Sequence, residues 1–137
     1  NIYSYIHNSV ADGMGKIGVL LNFNNDSSQI DNIGKNICMH IAASSPKSLT
    51  IDDLDKSIIE NEKEIISKQL QETGKPDNIL EKMMQGKLNK FYEENTLMGQ
   101  KFVIDPSISI KQYLIQSSKE INSQINIQEF LRFEIGS

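Results

Sequence analysis

The spacing of apolar residues changes along this chain from strand-like to helical and back to strand-like. Residues 2–10 are rich in β-formers, and so is "KIGVLLNF" at residues 16–23. "ADGMG" lies between them, and the glycine of its Asp12-Gly13 pair tolerates the positive φ that a hairpin loop demands. This pattern predicts a β-hairpin. The polar run "NNDSSQ" (residues 24–29) then supplies N-cap candidates. After it Ile30, Ile33, Ile37, Ile41 and Ala42 recur at spacings of three and four, which predicts an amphipathic helix. "SSP" (residues 44–46) ends that helix, because the residue before a proline avoids the α region.

The next fifty residues carry two further helical stripes. Thr50 is a helix cap in this reading, with Asp52 and Asp53 suited to the positive N-terminal end. Ile58, Ile65, Ile66 and Leu70 form one stripe, and Leu80, Met84, Leu88 and Phe91 the other. Gly74 suits a helix C-terminus and Pro76 the first turn of the following helix. Two helices of about 20 residues, each about 30 Å long and joined by a very short turn, are expected to be antiparallel neighbours. The expectation is a helical hairpin of coiled-coil type over about residues 52–96. Met83, Met84, Phe91 and Tyr92 read as hairpin packing, or as an apolar face kept for a partner helix.

"QKFVIDPSISIKQYLIQ" (residues 100–116) begins extended and ends helical, with Ser109 capping a helix that carries Ile110, Tyr113 and Leu114. "INIQEFLRFEIG" (residues 125–136) alternates imperfectly, Ile127, Glu129, Leu131 and Phe133 against Gln128, Phe130, Arg132 and Glu134. It reads as a strand of an antiparallel sheet. The fold class expected is therefore α+β.

Composition narrows the function classes. The chain has 137 residues, 38% of them hydrophobic and 23% charged, enough apolar content for one packed domain spanning residues 1–137. The net charge is −4, which argues against a general nucleic-acid binder. Eleven acidic residues and seven lysines lie between Asp52 and Glu94, so the charge excess sits on the expected hairpin. That reads as a solvated face or as steering for a partner. The single cysteine, Cys38, forms no internal disulfide and suits a reducing compartment. No apolar run approaches the roughly 18 residues that span a bilayer, so no membrane partner is expected. No signal peptide is visible, and a chain opening on Asn1 suggests a piece of something longer.

No motif carries chemistry. "GMGKIG" (residues 13–18) lacks the phosphate-loop pattern, since Val10 stands where its first glycine belongs and Ile17 where its Ser or Thr belongs. Cys38 and His40 in "CMH" make no tetrahedral metal site by themselves, and Cys38 reads as a small core residue. "NDS" (residues 25–27) matches a glycosylation pattern without a secretion signal. No cofactor, metal or catalytic residue is expected.

Several longer motifs are specific. "YIHN…GKIGVLLNF", "HIAAS.PK", "GKP..I.EKM..G...KF..E..L..Q.FV.DP" and "RFE.G" resemble the elongation factor Ts family, in order and over nearly the whole chain. The resemblance implies a two-layer α/β unit with a three-stranded antiparallel sheet and a protruding hairpin. It implies a cytoplasmic, bacterial exchange factor, not a covalent catalyst, that binds elongation factor Tu in its GDP form and promotes GDP release. By position it implicates His7, Val103 and Ile104 as partner-facing, and residues 75–86 near the hairpin turn. From the residues alone, His7 is as well a satisfied strand histidine and Val103 ordinary core. The family's Thr-Asp-Phe element and N-terminal helical domain are not present here, so this chain alone is expected to bind weakly and hardly accelerate GDP release. The competing expectation is a self-association module that dimerises through the hairpin.

Overall fold

The computed structural model describes residues 2–8, 16–25 and 28–135, with side chains for residues 4, 16–25 and 28–134. The turn expected at Asp12-Gly13 lies outside the described residues. Strands β1 (Ile2–Asn8), β2 (Lys16–Phe23) and β3 (Ile127–Ile135) form one antiparallel sheet in the order β1-β2-β3. β2 is the middle strand, and its alternation sets the two faces. Ile17, Val19, Leu21 and Phe23 are buried, while Leu20 points outward.

Helix α1 (Asp31–Ser44) lies across β1 and β2 and closes the core from the other side. Its Ile33, Ile37, Cys38, Ile41 and Ala42 share one cluster with the inner face of β2 and with Leu97, Phe102, Ile110, Leu114 and Ile125. Burying each of the larger side chains stabilises the fold by about 1.5–3 kcal/mol. The helix stops where Ser45 turns left-handed (φ 47°), its N–H donating to the Ile41 carbonyl, with Pro46 next.

α2 (Lys56–Gln71) and α3 (Asp77–Asn95) form a second, smaller unit. Ile66, Leu70 and Leu88 are its buried residues, with Leu80, Met83, Met84 and Tyr92 partly buried around them. Residues 72–76 connect the helices, and Gly74 takes the positive φ (67°) that the turn requires. The ends of the unit are tied together: the N–H of Lys47 donates to the carbonyl of Asn95, and those of Leu97 and Met98 to the carbonyls of Ser48 and Leu49. Helix α4 (Ile110–Glu120) then leads to β3, and Ser109 and Gln112 form a reciprocal capping box at its start.

Two local expectations are corrected. Thr50 does not cap α2: it precedes a single tight turn at residues 51–53, and its hydroxyl donates to the Asp53 carboxylate. Leu54 is extended and buried, which breaks the run, and Asp55 caps α2 by accepting from the Ser57 N–H. In the seam between the helices Ile65 is exposed, and Tyr92, not Phe91, joins the cluster. β3 forms as expected, and a register shift beside Asn22 and Phe23 puts Ile127 opposite Phe23 while Glu129 stays opposite Asn22. Ile127 and Phe130 therefore both pack on the core, and Leu131 and Phe133 face outward.

Candidate functional site

Residues 96–109 connect α3 to α4, and within them residues 100–109 form a loop with a narrow neck and an exposed tip. The neck is backbone: Ile110 N–H donates to the Gln100 carbonyl at 3.0 Å, and Phe102 N–H to the Ile108 carbonyl at 2.9 Å. Lys101 and Ser109 bridge between these bonds. Phe102 is buried and stacks on Tyr113, ring centroids 4.2 Å apart. Tyr113 in turn accepts a hydrogen bond from the Asn36 amide of α1 at 3.1 Å. The tip is folded by Asp105, whose carboxylate accepts from the N–H and hydroxyl of Ser107, while its carbonyl accepts from Ile108.

On this tip Val103 is 45% exposed and Ile104 49% exposed. Both are large apolar side chains held out by a loop whose neighbouring phenylalanine is pinned in the core. The core reading of Val103 therefore does not hold. His7 pairs with Ile17 in the register of β1 and β2, and its side chain lies outside the described residues.

Under the tip sits a polar group that sequence reasoning weighed only as a metal ligand. His40 is fully buried on the apolar face of α1. Its Nδ1 accepts the N–H of Val103 at 3.1 Å, and its Nε2 meets Gln100 Oε1 at 2.9 Å. An accepting Nδ1 assigns the proton to Nε2, which then donates to Gln100. The Gln100 amide nitrogen donates onward to the Glu94 carbonyl at 2.9 Å. Burial pushes the His40 pKa down, and the Gln100 bond offsets part of that shift. The signal was present in "HIAAS.PK": His40 is a polar exception on a stripe that runs Ile33, Ile37, Ile41.

The remaining chemistry is sparse. Burial pushes the Cys38 thiol up to about 12, so it stays protonated. No group of three His, Cys, Asp or Glu side chains could hold a metal ion among the described residues. A groove of about 430 Å³ lies between Leu49, Met98, Leu114, Ile115 and Ile125. Lys111 and Lys119 are the charged groups along it, so it offers no acid–base pair. No helix among the described residues is long and apolar enough to cross a membrane.

Fold and loop together define a class: an α+β domain that presents an apolar loop tip. The chain belongs to the elongation factor Ts family, whose model matches residues 1–137. It is 46% identical over 126 residues to elongation factor Ts of Paracoccus denitrificans, covering 92% of this chain and 43% of the relative. It is 44% identical over 137 residues to those of Bartonella bacilliformis (98% of this chain, 45% of the relative) and Orientia tsutsugamushi (98% and 44%). The chain thus spans slightly under half the length of these curated relatives.

Proposed function

We propose that this chain is the Tu-binding half of a cytoplasmic translation elongation factor, acting in guanine nucleotide exchange on elongation factor Tu. The observation that carries this reading is the family match along the entire chain. No covalent step is required. Exchange is a coupling of two binding events: if the factor weakens GDP on Tu, GDP weakens the factor by the same ratio. The contact residues in this reading are Val103 and Ile104 on the loop tip, with His7 on β1. The α2–α3 unit acts as an antiparallel arm, residues 75–86 at its turn reaching the GTPase.

Titration against elongation factor Tu·GDP tests this. The unmutated chain binds, and release of labelled GDP is barely accelerated. Val103→Asp and Ile104→Asp each weaken binding roughly tenfold or more, as expected for desolvated apolar anchors. His7→Ala weakens it less. Unchanged affinity in all three variants moves the contact surface elsewhere, and full exchange by this chain removes the division of labour. A sedimentation series on the same samples tests self-association through the α2–α3 unit: a mass that rises with concentration supports it, and a constant monomer removes it.

A further inference from the structure

The loop neck is over-determined, but its tip is not. Phe102 and Ile108, Ile110 and Gln100, and the Phe102–Tyr113 stack all fix the neck. The Val103 N–H points the other way from its exposed side chain, down to the His40 ring. That bond joins the tip itself to the body of the protein.

We propose that His40 is a positioning residue for partner binding: its Nδ1, made an acceptor because Gln100 takes the Nε2 proton, fixes the Val103 backbone so that Val103 and Ile104 project together. This rests on the reading that these two residues touch elongation factor Tu. The physical logic is local. A backbone N–H that loses its buried partner must turn to water, and losing this one bond frees the loop tip without unfolding the neck. The same chain of bonds runs from the Glu94 carbonyl near the end of α3, through Gln100 and His40, to Val103. One set of hydrogen bonds therefore sets both the exit of the helical unit and the height of the apolar tip. Ring-to-ring contact with Phe102, centroids 6.1 Å apart, holds the imidazole from the side.

Two variants separate positioning from stability. An asparagine amide ends where Nδ1 lies, and a glutamine amide ends where Nε2 lies. His40→Asn can still accept from Val103, and His40→Gln can still pair with Gln100 only. The expected result is that His40→Asn keeps the slow hydrogen exchange of the Val103 amide and the affinity for elongation factor Tu·GDP. His40→Gln exchanges roughly tenfold faster at Val103 and binds roughly tenfold more weakly. Denaturant midpoints of the two variants fall by similar amounts. Affinity that follows the midpoints instead of Val103 exchange overturns the proposal, as does unchanged exchange or unchanged binding in His40→Gln. Long-range nitrogen NMR of the unmutated chain supplies a test that no variant's misfolding can spoil: Nδ1 is expected unprotonated and coupled to the Val103 amide, and a protonated Nδ1 overturns the proposal. If Val103→Asp and Ile104→Asp leave Tu binding intact, the underlying functional reading fails, while the exchange result still decides whether His40 fixes the tip.

Discussion

The α/β body and the α2–α3 unit are built on different terms. In the body, fifteen buried apolar residues among those described, from both layers, form one cluster. In the helical unit three buried residues form the seam, and the surrounding Leu80, Met83, Met84 and Tyr92 are only partly covered. The charge is divided the same way: the stretch from Asp52 to Glu94 carries −4, and the rest of the chain balances to zero. The body is thus held by a shared core, whereas the helical unit is held by helix continuity, a thin seam and the backbone bonds at its ends. A part with little core of its own opens locally more readily than the body beneath it.

The largest expected effects test that division. Ile41→Ala empties a site that is fully buried and is expected to cost about 2–5 kcal/mol of global stability. Leu88→Ala, in a seam open to solvent on its flanks, is expected near the bottom of that range. Amide exchange distinguishes them. Ile41→Ala speeds exchange everywhere, while Leu88→Ala speeds it in α2 and α3 and leaves β2 protected. Uniform exchange in Leu88→Ala would merge the two regions into one cooperative unit.

The same contrast explains what the sequence made legible. α1 was readable because Ile33, Ile37 and Ile41 follow one period against one sheet. The helical stripes were readable as helices, but their seam was not, because a thin contact uses only part of each stripe. Ile65 falls outside it, and Tyr92 enters it in place of Phe91. β3 was readable as a strand of an antiparallel sheet, but which of its residues face inward was not. Its outward set contains Leu131 and Phe133, and the register shift that turns Ile127 and Phe130 inward has no sign in the local alternation. The exposed tip was reached through family motifs, since nothing in "FVID" itself says that phenylalanine goes in and valine out. The hydrogen-bonding role of His40 was not legible because a lone histidine among isoleucines has no visible partner until Gln100 is brought sixty residues back to meet it.

At the junction of the two regions, His40 supplies a pH-dependent term. Its folded pKa lies below the ordinary value of 6.5, so the folded state holds the ring neutral while the unfolded chain takes up a proton. The contribution is fully present above about 6.5 and is lost as the pH falls below that toward the folded value. Denaturant midpoints measured down the acid side should show this slope in the unmutated chain and lose it in His40→Asn. An identical slope in both would assign it to the carboxylates.

Within the body, the outer face of the sheet is packed more loosely than the inner one. The Phe133 ring covers Gly18, and an added Cβ there would stand 2.5 Å from the ring. Because Phe133 is partly exposed, its ring can swing aside, and Gly18→Ala is expected to cost about 1 kcal/mol, the low end for overpacking. Adding Phe133→Ala should leave little further penalty for the alanine, a coupling that a double-mutant cycle measures. Full additivity would mean that the ring does not rest on Gly18.

The smallest expected effect lies on the helical unit, where charge is most abundant. Lys63 pairs with Glu60 at 3.6 Å, Lys68 with Glu64 and Lys90 with Glu94 at 4.0 Å, all on exposed faces. Such pairs contribute about 0.2–0.5 kcal/mol each, and salt screens them. Glu64 precedes Lys68, the favourable order along a helix, whereas Lys90 precedes Glu94. Lys68→Ala should therefore cost slightly more than Lys90→Ala, and both differences should fade in molar salt. Because the unit's surplus is negative, removing either lysine also adds to its self-repulsion, so salt should stabilise both variants slightly more than the unmutated chain. Losses above 1 kcal/mol would mean that ion pairs, not the Ile66, Leu70 and Leu88 seam, hold the two helices together.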